Sequence, residues 1–199
     1  MKHCRFENRL TGQAHVLSGF QERITASSAD ELESAFARIE LAQKNGAWIA
    51  LLLEYELGEW LEPALLKTIP DYQHSAEKTP RLTALVFDCM HLEAPWGSDN
   101  TDQSCVLSIR PELSKAQYID RLEKIHRWIA QGDVYQVNTT FPLQVETIGQ
   151  AQALYQKIAQ KHPAAFAAFI EDESRTVLSF SPELFLQRTG QTLTTRPMK

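Results

Sequence analysis

The chain has 199 residues, 43% of them hydrophobic and 23% charged, with a net charge of −5 at pH 7. That length fits one domain, or one and a half, with a sizeable core, and the acidic balance argues against nucleic acid or an anionic membrane as the main partner. The longest apolar run, Ala47–Leu53, is far short of the ~20 residues that a membrane helix needs.

Nothing at the N-terminus has the pattern of a signal peptide, since His3, Cys4, Arg5 and Glu7 stand where its apolar core would begin. Cys4, Cys89 and Cys105 are widely spaced, with no C-x-x-C. Reduced thiols in a cytoplasmic protein are the expectation.

Ser28-Ala29-Asp30-Glu31 is a capping box. It predicts a helix with a core stripe of Leu32, Ala35, Phe36 and Ile39, stopped at Gly46. Trp48 to Leu53 reads as a buried strand and Leu82 to Phe87 as β-like, with the looser stretch 63–80 between them. Pro95 through Ser104 has loop composition and is the candidate boundary. A short strand, Cys105 to Ile109, precedes a second capping box at Ser114–Gln117. That box opens a helix with Tyr118, Leu122, Ile125 and Ile129 on one stripe and Gly132 as its stop. Val134 to Phe141 alternates and predicts a strand, with Gln136 and Asn138 on one face. A helix near 151–160 and strands near 166–170 and 176–180 follow. The fold class is therefore α+β, with a division into 1–110 and 111–199.

The segment from Glu183 to Lys199 is the most informative. Two alternating runs flank Thr189-Gly190-Gln191, the pattern of a β-hairpin with glycine in its turn. A turn centred there brings Glu183 and Lys199 together, within a residue of register, at the open end of the hairpin. A carboxylate beside an amine is a way to set an acid next to a nucleophile. Without further context the default reading of Lys199 is a solvated terminal lysine. Gln136 on an exposed face would be an ordinary polar residue; lining a pocket, it offers a neutral amide with no acid–base capacity. The histidines at 3, 15, 74, 91, 126 and 162 have no metal-ligand spacing.

Gly132-Asp133-Val134-Tyr135-Gln136-Val137-Asn138, Ser181-Pro182-Glu183 and Thr195-Arg196-Pro197-Met198-Lys199 together resemble the chorismate-utilising enzymes of the anthranilate synthase component I superfamily. The resemblance is strong over about 114–199 and weak before it. It implies the N-terminal part of that layered fold, with antiparallel sheets, helices packed outside, and an incomplete C-terminus. It implies Lys199 as the nucleophile attacking C2 of chorismate and Glu183 as the general acid protonating the departing C4 hydroxyl. Gln136 and Arg196 become substrate-binding residues. The lysine resembles the members that make 4-amino-4-deoxychorismate for p-aminobenzoate and folate, because the anthranilate-forming relatives carry alanine there. Relatives that add water carry a lysine base where Gln136 stands, so ammonia is the expected incoming group, supplied by a glutamine amidotransferase partner.

Mg²⁺ is the implied cofactor, with its ligands expected beyond residue 199; this sequence offers no metal ligand of its own. The 199 residues are therefore expected to be inactive alone. The alternatives are an anthranilate-forming enzyme and a non-catalytic binding module of the same fold. The family's tryptophan-binding elements are altered here. Glu31-Leu32-Glu33-Ser34 lies in a predicted helix, and His162-Pro163-Ala164-Ala165-Phe166 stands where the family has asparagine-proline-x-proline-phenylalanine.

Overall fold

The computed structural model describes residues 3–62, 64, 80–97, 104–173 and 175–196. It divides into two compact units: Met1–Gly97 with Ile158–Lys199, and Ser98–Lys157. The chain is α+β, with ten strands, all paired antiparallel, among the described residues.

The first unit is built on a six-stranded sheet. In chain order its strands are β1 (Cys4–Asn8), β2 (Gln13–Ala26), β3 (Trp48–Leu53), β4 (Leu82–Glu93), β7 (Phe166–Glu171) and β8 (Thr176–Ser181). In space they run β3-β4-β2-β1-β7-β8, so β3 and β8 are the two edges. Two apolar clusters hold the unit. In one, helix α1 (Leu32–Lys44) lays Leu32, Ala35 and Ile39 against Ile24, Ala26, Ala84 and Val86. Burying Leu32 and Ile39 contributes about 1.5–3 kcal/mol each, and a charged residue at either position would break the packing. The other cluster gathers Cys4, Leu17, Leu85, Phe87, Ala168 and Ile170, with Ala50 and Leu52 from β3 and Val177 from β8. Residues of the two opposite edges share one core, so the sheet is curled.

Several expectations are met and several corrected. The helix after Ser28 forms, led by a 3-10 turn at Ala29–Glu31. Its box does not form as expected, because Ser28 makes no side-chain cap bond; the Ser27 amide donates to Glu31 Oε2 at 2.6 Å instead. Phe36 is exposed rather than part of the stripe, and β3 is a half-exposed edge with only Ala50 fully buried. An edge strand has one neighbour to cover it, which a uniformly apolar run cannot announce. The pattern does not foresee β1 and β2. A short helix α2, Gly58–Leu61, follows β3, and most of the loose 63–80 stretch lies outside the described residues.

The second unit holds β5 (Ser104–Pro111), α3 (Lys115–Gln131), β6 (Leu143–Gly149) and the first part of α4 (Ala151–Lys161). The capping box of α3 is complete: Gln117 N donates to Ser114 Oγ, and Ser114 N to Gln117 Oε1 at 2.9 Å. Gly132 closes the helix at φ +81°, where an L side chain would be strained.

The strand expected at 134–141 is not there. That segment is irregular, and the strand is the next run, β6, paired with β5. The ring of Phe141 meets Tyr118 of α3 edge-on, centroids 5.5 Å apart, and Glu112 N bonds Pro142 O at 3.1 Å. These contacts bring 141–142 back to the start of α3. Alternation alone does not make a strand without a neighbour to supply the ladder.

Candidate active site

The hairpin forms as expected: β9 (Leu184–Thr189) and β10 (Thr192–Arg196) are joined at Gly190, which has φ +60°. Thr192 pairs with Thr189, Leu193 with Arg188 and Thr194 with Gln187. The ladder then slips by one, and Arg196 pairs with Leu184. Arg196 thus lies across from the residue next to Glu183. Pro197, Met198 and Lys199 lie outside the described residues, so the expected meeting of Glu183 with Lys199 does too.

Glu183 sits in the connection between β8 and β9, with its side chain exposed. Its backbone is held by Ser181, whose Oγ accepts from Glu183 N at 3.2 Å and donates to Glu183 O at 3.1 Å. This is the local turn that a serine two residues ahead can build. Across the slip, Thr195 Oγ1 donates to Phe185 O at 2.6 Å. Neither hydroxyl received a role from sequence, although the signal was there: both residues belong to the quoted motifs, and Ser-Pro-x is a turn pattern.

The glutamate connection runs between two cavities. One, of about 420 Å³, is lined by Phe180, Pro182, Pro163 and Ala164, with the basic side chains of Lys161 and His162 at its wall. The other, of about 320 Å³, has Leu184, Leu186 and Gln187 on one side and Phe6, His15 and Phe166 on the other. Pro182 and Leu184, the neighbours of Glu183 in sequence, each line one of them. Glu183 itself lines neither cavity.

Gln136 belongs to the other unit. It is exposed on the irregular segment after α3, beside Tyr135, which is 94% exposed. The strand face that Gln136 was expected to share with Asn138 does not exist. The structure pairs Arg196 with the glutamate end of the hairpin and describes Gln136 separately. No three histidine, cysteine or acidic side chains gather as a metal site among the described residues, so they offer no set that fits Mg²⁺. Cys4, Cys89 and Cys105 are free thiols. No helix of the described residues is long and apolar enough to cross a membrane.

The profile of a family described as chorismate binding enzyme matches residues 2–199. Over 87 residues the chain is 29% identical to aminodeoxychorismate synthase component 1 of Salmonella typhimurium, which covers 44% of this chain and 19% of that protein. Over 108 residues it is 27% identical to aminodeoxychorismate synthase component 1 of Escherichia coli K12, covering 54% and 24%. Over 114 residues it is 27% identical to an anthranilate synthase component 1 of Haloarcula marismortui, covering 57% and 22%. The chain spans about a fifth of the length of the curated relatives it matches.

Proposed function

The chain belongs to the chorismate-binding enzymes, and from that premise we propose that it is part of component I of an aminodeoxychorismate synthase. The reaction joins chorismate and ammonia to give 4-amino-4-deoxychorismate, on the route to p-aminobenzoate and folate. A glutamine amidotransferase subunit supplies the ammonia, and the setting is cytoplasmic. The observation that carries this reading is the hairpin register, which sets Arg196 opposite Leu184 and so beside the glutamate of Ser181-Pro182-Glu183. The aminodeoxychorismate synthase component 1 relatives support it.

In the proposed mechanism the neutral amine of Lys199 attacks C2 of chorismate. Both double bonds of the ring diene shift, the C4–O bond breaks, and the hydroxyl leaves as water with a proton from Glu183. Hydroxide is a poor leaving group, which is why the step needs an acid. Ammonia then adds at C4 and passes a proton to the Glu183 carboxylate, both double bonds shift back, and the C2–N bond breaks to return the lysine as a neutral amine. An amine attacks only when unprotonated, and an ordinary lysine titrates near ~10.4. Arg196, three residues before the lysine in sequence, is the candidate cation that would favour the neutral form and bind a substrate carboxylate. Gln136 contributes a neutral amide that cannot activate water, which keeps ammonia as the nucleophile.

Magnesium would offset substrate carboxylate charge with ligands from outside the described residues, and no step above runs through it. The 199 residues alone are proposed to be inactive, because they bring an acid and an arginine to a dianion without a metal site among the described residues. Phe185 is also 90% exposed, and Leu186 and Leu193 of the same hairpin are exposed as well, apolar side chains of the kind that further protein covers.

The test is product analysis with chorismate, Mg²⁺ and ammonium, using the active enzyme that carries this sequence, wild type and Lys199→Ala. Aminodeoxychorismate from the wild type, lost in the variant, is the expected result. Aminodeoxychorismate at an undiminished rate from Lys199→Ala would overturn the covalent route. A second reading, an anthranilate synthase component I, draws on the Haloarcula relative; anthranilate as the product would establish it, and the absence of any turnover would favour a binding module.

A further inference from the structure

Between Thr194–Gln187 and Arg196–Leu184, β9 advances over Phe185 and Leu186 while β10 advances over Thr195 alone. Two residues opposite one make a β-bulge, directly after the glutamate connection. A bulge takes a carbonyl out of the ladder, and an unmet carbonyl weakens the strand end. Here the Phe185 carbonyl is met by the Thr195 hydroxyl at 2.6 Å, from the residue opposite the bulge. On the other side of Glu183, the Ser181 hydroxyl bonds both the N–H and the C=O of the glutamate itself. These hydroxyl bonds are all to backbone, so they fix the direction of the chain rather than the charge of the acid.

We infer that Ser181 and Thr195 are positioning residues for Glu183: Ser181 grips its backbone directly, and Thr195 holds the bulge two residues further on through the Phe185 carbonyl, so that the carboxyl points one way. The bulge matters because a one-residue change of register turns a side chain to the opposite face of a strand. With the bulge held, the pleat at Glu183 and Leu184 is out of phase with that of 187–189. Let the bulge relax into the ladder, and the glutamate turns away from its present direction. The inference rests on the reading of Glu183 as the general acid.

The experiment uses the active enzyme that carries this sequence, with chorismate, Mg²⁺ and ammonium. Thr195→Val keeps the shape and removes the hydroxyl; Thr195→Ser keeps the hydroxyl. For Thr195→Val, kcat is expected to fall by about tenfold to a hundredfold, the range of a misdirected catalytic group, with KM nearly unchanged. Thr195→Ser is expected to restore kcat. Ser181→Ala should act alike from the other side; it leaves the β9–β10 ladder untouched and so decides the matter if Thr195→Val does not fold. The double variant Thr195→Val/Glu183→Gln should be no slower than Glu183→Gln alone, because a group that acts through the glutamate has nothing left to position. Wild-type kcat in Thr195→Val or Ser181→Ala, or losses that multiply in the double variant, would overturn the inference while leaving the acid reading intact. A fully active Glu183→Gln would instead remove the acid reading itself.

Discussion

Arg175, immediately before β8, is ion-paired with Glu54, immediately after β3, although β8 and β3 are the opposite edges of the six-stranded sheet. The pair is the polar counterpart of the shared core in which Val177 packs with Ala50 and Leu52. Nearby, Arg23 of β2 grips Asp172 of the β7–β8 turn through two bonds of 2.8 and 2.9 Å. The β7–β8 turn is thus tied to two strands that are not its ladder neighbours, and the curl of the sheet is held by charge as well as by apolar burial.

The two ties should differ in worth. Arg175 and Glu54 are each about a third exposed, so Arg175→Ala should cost about 1 kcal/mol or less, as solvent screens such a pair. Asp172 is 1% exposed, and Arg23→Ala would leave its carboxylate buried without its bidentate partner, at a cost of about 3–5 kcal/mol. Denaturant unfolding of both variants checks the order. Equal losses would show that the turn is held by its backbone rather than by these side chains.

A buried network on β1 gives a second prediction. Arg5 and Glu7, 1% and 2% exposed, are paired at 2.6 Å. Glu7 also takes Arg9 at 2.6 Å and the Trp96 amide at 2.8 Å, while Arg5 lies over the Trp96 ring, 4.8 Å from its centre. Glu7→Gln should therefore cost about 1.5–3 kcal/mol, the worth of bonds to charged groups, since it removes the carboxylate shared by two arginines while Arg5 keeps Glu93 at 2.7 Å. Its first effect should be faster hydrogen exchange at the Trp96 amide, with the β2–β4 ladder unchanged. An unaltered Trp96 amide would rule out Glu7 as what holds this segment to β1.

How much of this was legible in the sequence depends on where the charges go. Helix α3 and the hairpin follow from local chemistry, a capping box and a glycine turn, and both form as read. β1 was missed because Arg5 and Glu7 are buried against each other, whereas charges at those positions read as solvent-facing. The strand placed at 134–141 failed for a different reason. Two alternating runs lie in succession, and β5 pairs with the second, Leu143–Gly149; long-range pairing, not alternation, chose between them. In the candidate site, the approach of Arg196 to the glutamate end was readable from turn and spacing. The bulge that shifts its register was not, because it depends on Thr195 reaching a carbonyl across the strand.

His3 should make the fold acid-sensitive. Burial pushes its pKa below 6.5 and Arg5 pushes it the same way, outweighing the opposing charges of Glu171 and Glu93. Its ring is stacked on Trp96 and meets Phe169 edge-on. A base with a lowered folded pKa takes up its proton less readily in the native state, so its contribution is full above about 6.5 and is lost as pH falls below it. Glu7 adds a separate, more acidic window. Burial alone would raise its pKa, but bonds from Arg5, the Trp96 amide and Arg9, with the charge of Arg5, bring it below 4.5. That contribution is full above 4.5 and is lost as pH falls through the lowered value. Unfolding measured from pH 7.5 to 5 should show wild-type stability declining, with a smaller decline in His3→Phe, which keeps the ring contact and cannot charge. Parallel curves for the two proteins would mean that His3 carries none of the acid sensitivity.

Glu183→Gln tests the chemistry directly. The amide keeps the size of the side chain and its backbone grip by Ser181, since those bonds involve only Glu183 N and O. What it removes is the proton for the departing hydroxyl. An acid that acts in the transition state should show its loss in kcat, by about 10²–10⁴-fold, with substrate affinity nearly intact. Steady-state kinetics of the active enzyme that carries this sequence, with chorismate, Mg²⁺ and ammonium, decides the point. A loss below tenfold would count against the acid role, and a change confined to KM would make Glu183 a binding residue.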